Sequence, residues 1–379
     1  MDYFNWNVSY PAFTLCPAPS FKVDVTAFTE LINKTDKRAE LLLWAIILGD
    51  IENLELIDVP PNGALSLIDP RDYAKIAASV FKVFDESSIT TNTNSPISVE
   101  PAMTELGMCH VVNSNVAFLD NPNKWGSNVT TYAKNNIQLS VHDRDFFTQI
   151  INYAEIYKVF IHGSDETILS TSPSYSQSLR GFMSFGVQVW TTKISEELRL
   201  APMRLRKCRF ISEPISERYP IYTYNHCLLE CRIQMIIKLC GCIPHFYKPL
   251  DYERVCSIDE LKCVLSYRKE ILSLSTSEKT LKSFKTSTAL PRTSKDCNCP
   301  SQCETDVYQK DYENFIPQKD MNWLRIGISS FPKVRVVRDI IFSFYDIMLR
   351  IGGVVNLCIG CSILSLVEMC VTTIRLCFI

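Results

Sequence analysis

Twelve cysteines between Cys16 and Cys303 constrain this chain more than any other feature. An even set of that size, together with N-x-S/T sequons at Asn7, Asn33 and Asn128, implies an oxidising compartment and glycosylation. Cys16 and Cys109 stand apart, while the other ten fall within residues 208–303: Cys208, Cys227, Cys231, Cys240, Cys242, Cys256, Cys263, Cys297, Cys299 and Cys303. Cys227 and Cys231 are four apart on an apolar pattern of Leu228, Leu229, Ile233, Ile236 and Ile237, so both face one side of a helix. Cys299 and Cys303 repeat the spacing, and the expectation is a ladder of bridges between two helices. Zinc is the rival reading. Cys240-Gly-Cys242 with His245, or Cys297-Asn-Cys299, offers partial ligand sets, but the usual C-x₂₋₄-C pairs are absent as a set. No metal and no cofactor is expected.

The second constraint lies at the C-terminus. From Ile351 to Ile374 the only charged side chain is Glu368. At about 1.5 Å per residue a helix of that length covers the roughly 30 Å hydrocarbon core of a bilayer. One transmembrane helix is therefore predicted over residues 339–375, followed by a short tail, 376–379. Gly352, Gly353, Asn356, Gly360, Cys361, Ser362, Ser365, Glu368 and Thr372 interrupt its Leu, Ile and Val. Small and polar residues mark close helix packing in lipid, and an intramembrane carboxylate marks function. A single-pass anchor with a dimerisation face is the blander alternative. The four cysteines in or beside this segment, Cys358, Cys361, Cys370 and Cys377, have no need to pair.

Topology raises a conflict. Residues 1–20 have no basic n-region and no uninterrupted apolar core, so they do not read as a signal peptide. Lys333, Arg335, Arg338 and Arg350 precede the helix core and only Arg375 follows it, which by positive-inside counting would keep the upstream side cytoplasmic. The cysteines and sequons require the opposite. An upstream transmembrane helix, absent from this sequence, would resolve the conflict. Residues 1–338 are then expected to be extracellular, on a protein integral to the plasma membrane. A net charge of −2 gives no case for nucleic acid.

Along the chain, residues 8–17 read as a strand and 25–54 as helical. Residues 71–85 read as a second helix after a turn at Pro60–Gly63, and 86–97 as a loop. Met103–Asn113 reads as extended, as do 137–141, 157–161 and 181–190. His162, Ser164, Asp165 and Glu166 assemble catalytic residue types, but neighbours in one turn do not make a convergent site. No enzyme is expected. Residues 266–292 read as exposed, and 331–337 as a strand joined without a linker to the apolar helix.

Three stretches together resemble the degenerin/epithelial sodium channel family, which includes the acid-sensing channels. They are Tyr10-Pro-Ala-Phe-Thr-Leu-Cys16; the cysteine block with Tyr224-Asn-His-Cys-Leu-Leu-Glu-Cys231 and Leu239-Cys-Gly-Cys-Ile-Pro244; and Gly352-Gly353 followed by Leu357-Cys-Ile-Gly-Cys-Ser-Ile-Leu-Ser-Leu-Val-Glu368. The wording is most like the insect pickpocket branch. The resemblance implies an α+β, disulfide-rich ectodomain with a β-sheet palm and β-ball, helical finger and thumb, plus the C-terminal transmembrane helix. Residues 21–100 would form the finger, 103–200 mainly palm and β-ball strands, 208–303 the thumb, and 304–338 the return to the membrane. It implies the bridges Cys16–Cys109, Cys208–Cys303, Cys227–Cys299, Cys231–Cys297, Cys240–Cys263 and Cys242–Cys256.

It further implies a homo- or hetero-trimer with related subunits, embedded in lipid, that conducts sodium ions passively and is blocked by amiloride. The selectivity motif would be Gly360-Cys361-Ser362, with Glu368 as a ring of carboxylates. Leu349, Gly352, Gly353 and Asn356 would serve helix packing and gating. Leu349 stands where the family pattern has a small residue, Arg350 where an acidic one is common, and Val371 where acid-sensing relatives have aspartate. The first transmembrane helix and the cytoplasmic His-Gly motif have no counterpart in this sequence. A non-conducting, disulfide-rich surface binding protein, or a truncated or regulatory subunit, is the alternative.

Overall fold

Pro11 and Pro17 bracket the apolar run that becomes β1 (Ala12–Pro17), every residue of which is buried. A shorter strand, Asn7–Ser9, precedes it and pairs with Gln138–Ser140. The strand expected over 8–17 is thus interrupted at Tyr10 and Pro11, proline having no N–H to give a ladder. The strands of the larger sheets continue as β2 (Ile89–Thr91), β3 (Val99–Thr104), β4 (Gly107–Val112), β5 (Phe147–Ile151), β6 (Tyr157–His162), β7 (Tyr175–Gln177), β8 (Gly181–Ile194), β9 (Thr305–Pro317) and β10 (Trp323–Ser330). This computed structural model describes the chain except residues 1–5, 35–36, 61, 94, 127–136, 144, 284–289, 320, 333, 361–362 and 378–379. It divides into two units, Met1–Thr192 with Lys207–Val336, and Lys193–Arg206 with Val337–Ile379.

In the larger unit one sheet runs β3-β4-β1-β6-β7 and is antiparallel throughout. The second runs β9-β8-β10-β5-β2, with β8 and β10 parallel and its other pairs antiparallel. Phe13, Leu15, Val112 and Val159 of the first sheet share a core with Phe185, Val187, Leu324 and Ile326 of the second. Tyr10 pins the two together: its buried hydroxyl donates to the Ile326 carbonyl at 2.7 Å and accepts from the Thr148 N–H at 3.2 Å. β2 lies inside the stretch expected to be a loop. Its three residues pair with β5 at a sheet edge, a strand too short for periodicity to register.

The helical pattern over 25–54 divides into α1 (Val25–Lys34) and α2 (Glu40–Leu48), and the second helix shortens to α3 (Tyr73–Ser79). After α3 the chain extends, and Phe81 bridges to Val23. Asn62–Leu65 makes a helical turn where Pro60–Gly63 predicted a simple one. α4 (Tyr224–Cys240) begins at Thr223, whose hydroxyl accepts from the His226 N–H at 3.0 Å. It ends at Gly241, which is left-handed (φ +74°) as a C-terminal cap requires. α5 (Leu261–Ser266) and α6 (Arg268–Ser273) complete a second core with Leu42, Ile46, Tyr73, Ile233 and Ile236. Ile271 of α6 and Leu274 are buried, so residues 266–292 are not wholly the exposed stretch expected.

All twelve cysteines of this unit are paired as Cys16–Cys109, Cys208–Cys303, Cys227–Cys299, Cys231–Cys297, Cys240–Cys263 and Cys242–Cys256. The pairing is the one the resemblance implied, and it leaves no thiolates for zinc. The two-helix ladder needs correcting. Cys297 ends a 3₁₀ turn and Asn298 is left-handed (φ +49°), while Pro300 and a short strand at Ser301–Gln302 precede Cys303. A proline and a left-handed residue exclude a helix there, so α4 is bridged to a turn.

The extended stretch 103–113 folds as the β3–β4 hairpin, and its tip is held by several buried polar bonds. Glu105, only 2 % exposed, accepts on Oε2 from Arg232 Nη1 (2.5 Å), the Ser170 N–H (2.8 Å) and the Ser170 hydroxyl (2.6 Å), and on Oε1 from the Tyr247 hydroxyl (2.7 Å). Beside it, buried Lys22 donates to the Leu106 carbonyl (2.5 Å) and to Asp50 (3.0 Å). Gly107 completes the turn at φ +77°, with Lys22 Nζ 2.9 Å from where a Cβ would stand.

His110 and His245 carry a pH consequence. Both are buried, and chiefly for that reason their pKa values fall from the ordinary 6.5 to about 4. The unfolded chain takes up these protons near 6.5 and the folded chain only near 4. Stability is therefore expected to fall as pH drops through this interval, by on the order of 1–3 kcal/mol per histidine. Thermal midpoints measured from pH 7.5 to 4.5 should show it, and His110→Phe should flatten the decline. An identical decline in that variant would count against the assignment.

Candidate functional site

The smaller unit holds the residues singled out near the C-terminus. Ser343 opens α7 (Phe344–Ile359): its hydroxyl accepts from the Asp346 N–H at 3.2 Å, and the Asp346 carboxylate accepts from the Ser343 N–H at 3.0 Å. This reciprocal pair satisfies donors that a helix start leaves open. Residues 339–343 separate α7 from the short strand Val336–Arg338. The linker-free joint expected at 331–337 is therefore not formed, because this cap needs non-helical backbone before it.

α7 ends at Gly360, whose N–H bonds the Asn356 carbonyl at 2.9 Å and whose backbone is left-handed (φ +70°, ψ 11°). α8 (Ile363–Cys377) follows. The single helix expected over 339–375 is thus two helices, of 16 and 15 residues. Among the described residues no helix is long and apolar enough to cross a membrane. Glycine adopts the left-handed cap without a Cβ penalty, so an apolar run can stop there without any polar signal.

Both helices expose a series of apolar side chains. Leu349, Ile351, Val354 and Leu357 of α7 are exposed, as are Leu364, Val367, Met369, Ile374 and Leu376 of α8. Gly353, Asn356 and Gly360 follow one another at helical spacing along α7, and a Cβ added at Gly353 would meet nothing within 4 Å. Gly352 is half-buried; Asn356 and Glu368 are exposed. Glu368 offers its carbonyl to the Thr372 hydroxyl at 2.7 Å, which leaves its carboxylate outside that bond. Cys361 and Ser362 lie outside the described residues, as does Asn128; the sequon residues Asn7 and Asn33 are exposed. The last turn of α7 leaves carbonyls without partners in their own helix, and these carry the negative end of its dipole.

The turn after β6 has structural uses. His162 Nε2 lies 2.8 Å from the Thr14 hydroxyl and Nδ1 2.8 Å from the Gly163 carbonyl, with burial lowering its pKa to about 4. Asn115 donates to Asp165 at 2.6 Å, and the Ser164 carbonyl accepts from the Asn115 N–H at 2.8 Å. Glu166 is pushed up to about 7 by burial first and by neighbouring Asp165 second. Sequence reasoning missed both the Glu105–Arg232 junction and the left-handed Gly360. The second has a signal, a glycine closing a periodic run, although the resemblance points to Gly360 as part of a selectivity motif and not as a helix end.

A family model described as "Amiloride-sensitive sodium channel" matches residues 1–372. Sodium channel protein Nach of Drosophila virilis is 26% identical over 198 residues, which cover 48% of this chain and 47% of that protein. Nach of Drosophila melanogaster is 23% identical over 243 residues, covering 59% and 42%. Pickpocket protein 11 of the same species is 23% identical over 232 residues, covering 56% and 41%. The chain spans less than half the length of these relatives.

Proposed function

We propose that this chain, which belongs to the amiloride-sensitive sodium channel family and to its insect pickpocket-like branch, is a pore-lining subunit of a sodium channel. The family is one of channels and not of enzymes. The observation that carries the reading is the break at Gly360 between two helices that expose their apolar side chains. Backbone freed from its helix is tolerated at membrane depth only where protein covers it or a water-filled cavity meets it. In this reading α7 and α8 together span the bilayer, and the break faces a pore. Copies of Gly360-Cys361-Ser362, arranged around a three-fold axis, narrow that pore. Their carbonyls replace part of the hydration shell of a sodium ion. Glu368, eight residues further along, supplies a ring of carboxylates that raises the local cation concentration. Gly352, Gly353 and Asn356 let neighbouring helices approach, with Leu349 at the outer end of the packed stretch.

Residues 1–338 then lie outside the cell, with 21–100 as finger, 103–200 mainly as palm and β-ball, 208–303 as thumb and 304–338 as the return to the membrane. Asn7, Asn33 and Asn128 carry glycans. Expression of the chain in oocytes, alone and with related insect subunits, under voltage clamp, tests the proposal. An amiloride-sensitive sodium current is expected in at least one combination, and the complete lack of one would sink the conduction claim.

A further inference from the structure

The smaller unit contains a second element besides its two long helices. Lys193–Arg206 belongs to it although 130 residues of the larger unit, Lys207–Val336, separate the two parts in sequence. It is fastened to the stretch that precedes α7: the Ser195 N–H donates to the Arg338 carbonyl at 2.9 Å, and its hydroxyl donates to Asp339. Only residues 340–343 lie between that tie and α7, and four residues reach at most about 14 Å. From this anchor the chain makes two short helical turns, Glu196–Arg199 and Met203–Arg206, joined through Ala201 and Pro202.

The chemistry of these turns is unusual for a free surface. Leu200 is 87% exposed and Leu205 71%, and Met203 is exposed between them. Basic residues alternate with them: Arg199 and Arg204 are exposed, Arg206 is half-buried and Lys207 is exposed next in the chain. Glu196 and Glu197 open the first turn, where Glu196 lies 3.6 Å from Arg199. Apolar side chains set among cations suit the boundary between headgroups and acyl chains, where the first leave water and the second meet phosphate.

We propose that residues 196–207 dock on the phospholipid surface, with Leu200, Met203 and Leu205 entering the headgroup–acyl boundary and Arg204, Arg206 and Lys207 meeting headgroup phosphates. This rests on the reading of α7 and α8 as membrane helices, because their position places the tie at Arg338 beside the bilayer. Docking here gives the larger unit a second attachment at the point where its chain leaves β8 and returns toward the 208–303 region.

The test is labelling of the full chain, reconstituted in vesicles of phosphatidylcholine with one-third phosphatidylglycerol, by a diazirine reagent dissolved in the lipid. Peptides are read by mass spectrometry. Label is expected in the peptide holding residues 196–207 and in those holding α7 and α8. Leu200→Ser with Leu205→Ser should remove the first and spare the others. Arg204→Gln with Lys207→Gln should lower it, the docking equilibrium falling about fivefold for each charge removed; 0.5 M salt should act in the same direction. Label in α7 and α8 but not in residues 196–207 overturns the docking alone, and assigns the patch to a protein neighbour or to water. Absence of label in all three overturns the membrane reading and the docking with it. Equal label in the parent chain and both double variants also overturns the docking, since the patch would then not be what holds the segment.

Discussion

Arg232→Ala is expected to destabilise the larger unit by about 3–5 kcal/mol, the cost of leaving a buried charge without its partner. The geometry explains the size. Arg232 and Glu105 are both nearly inaccessible, and their contact is 2.5 Å. Arg232 also donates to the Thr171 hydroxyl at 2.9 Å and the Leu272 carbonyl at 3.0 Å. Its loss leaves Glu105 with Ser170 and Tyr247 as donors but no countercharge, in a site water cannot enter. Thermal unfolding by circular dichroism should show a midpoint lower by about 10 °C. Arg232→Met combined with Glu105→Gln removes both charges while keeping volume, and should recover much of the loss. A double variant as unstable as the sum of the single ones would show that the ion pair is not the source.

The second large effect is on conduction. Gly360→Val is expected to cut sodium current roughly tenfold or more, because a side chain in the left-handed region costs about 1–2 kcal/mol and β-branching adds to it. A Cβ at Gly360 would meet no atom within 4 Å, so the penalty is conformational and not a clash. This permits a graded series. Asn adopts the left-handed region more readily than Ala, and Ala more readily than Val. Currents, with surface expression measured in parallel, should follow Gly, Asn, Ala, Val in descending order. Currents that ignore this order would separate the break from permeation.

What could be read in advance followed from periodicity and counting. The face of α4 carrying Cys227 and Cys231, the apolar strands expected at 8–17 and 181–190, and the apolar C-terminal run all declare themselves by spacing. The Glu105–Arg232 junction did not, because two charged residues 127 positions apart show no local pattern. β9 is expected only within the 304–338 return to the membrane, and its own bounds are not legible, because its charges and aromatics sit on a largely exposed strand where no buried face imposes strict alternation. β2 is only three residues long. The break at Gly360 is a backbone event, and hydropathy measures side chains. Cap chemistry could have found it, since a glycine after sixteen helical residues is a stop signal in water and in lipid alike.

The β3–β4 hairpin tip has one further consequence, for how the larger unit comes apart. Its strands belong to the sheet layer, while Arg232 and Tyr247 belong to the helical layer, and Lys22 with Asp50 meets the same turn from the segment around α1 and α2. Melting the helical layer alone would strip Glu105 of two donors while the sheet still held it in place. That intermediate is penalised from both sides, so the two cores are expected to lose their structure in one calorimetric transition, with no separate heat-absorption peak for either.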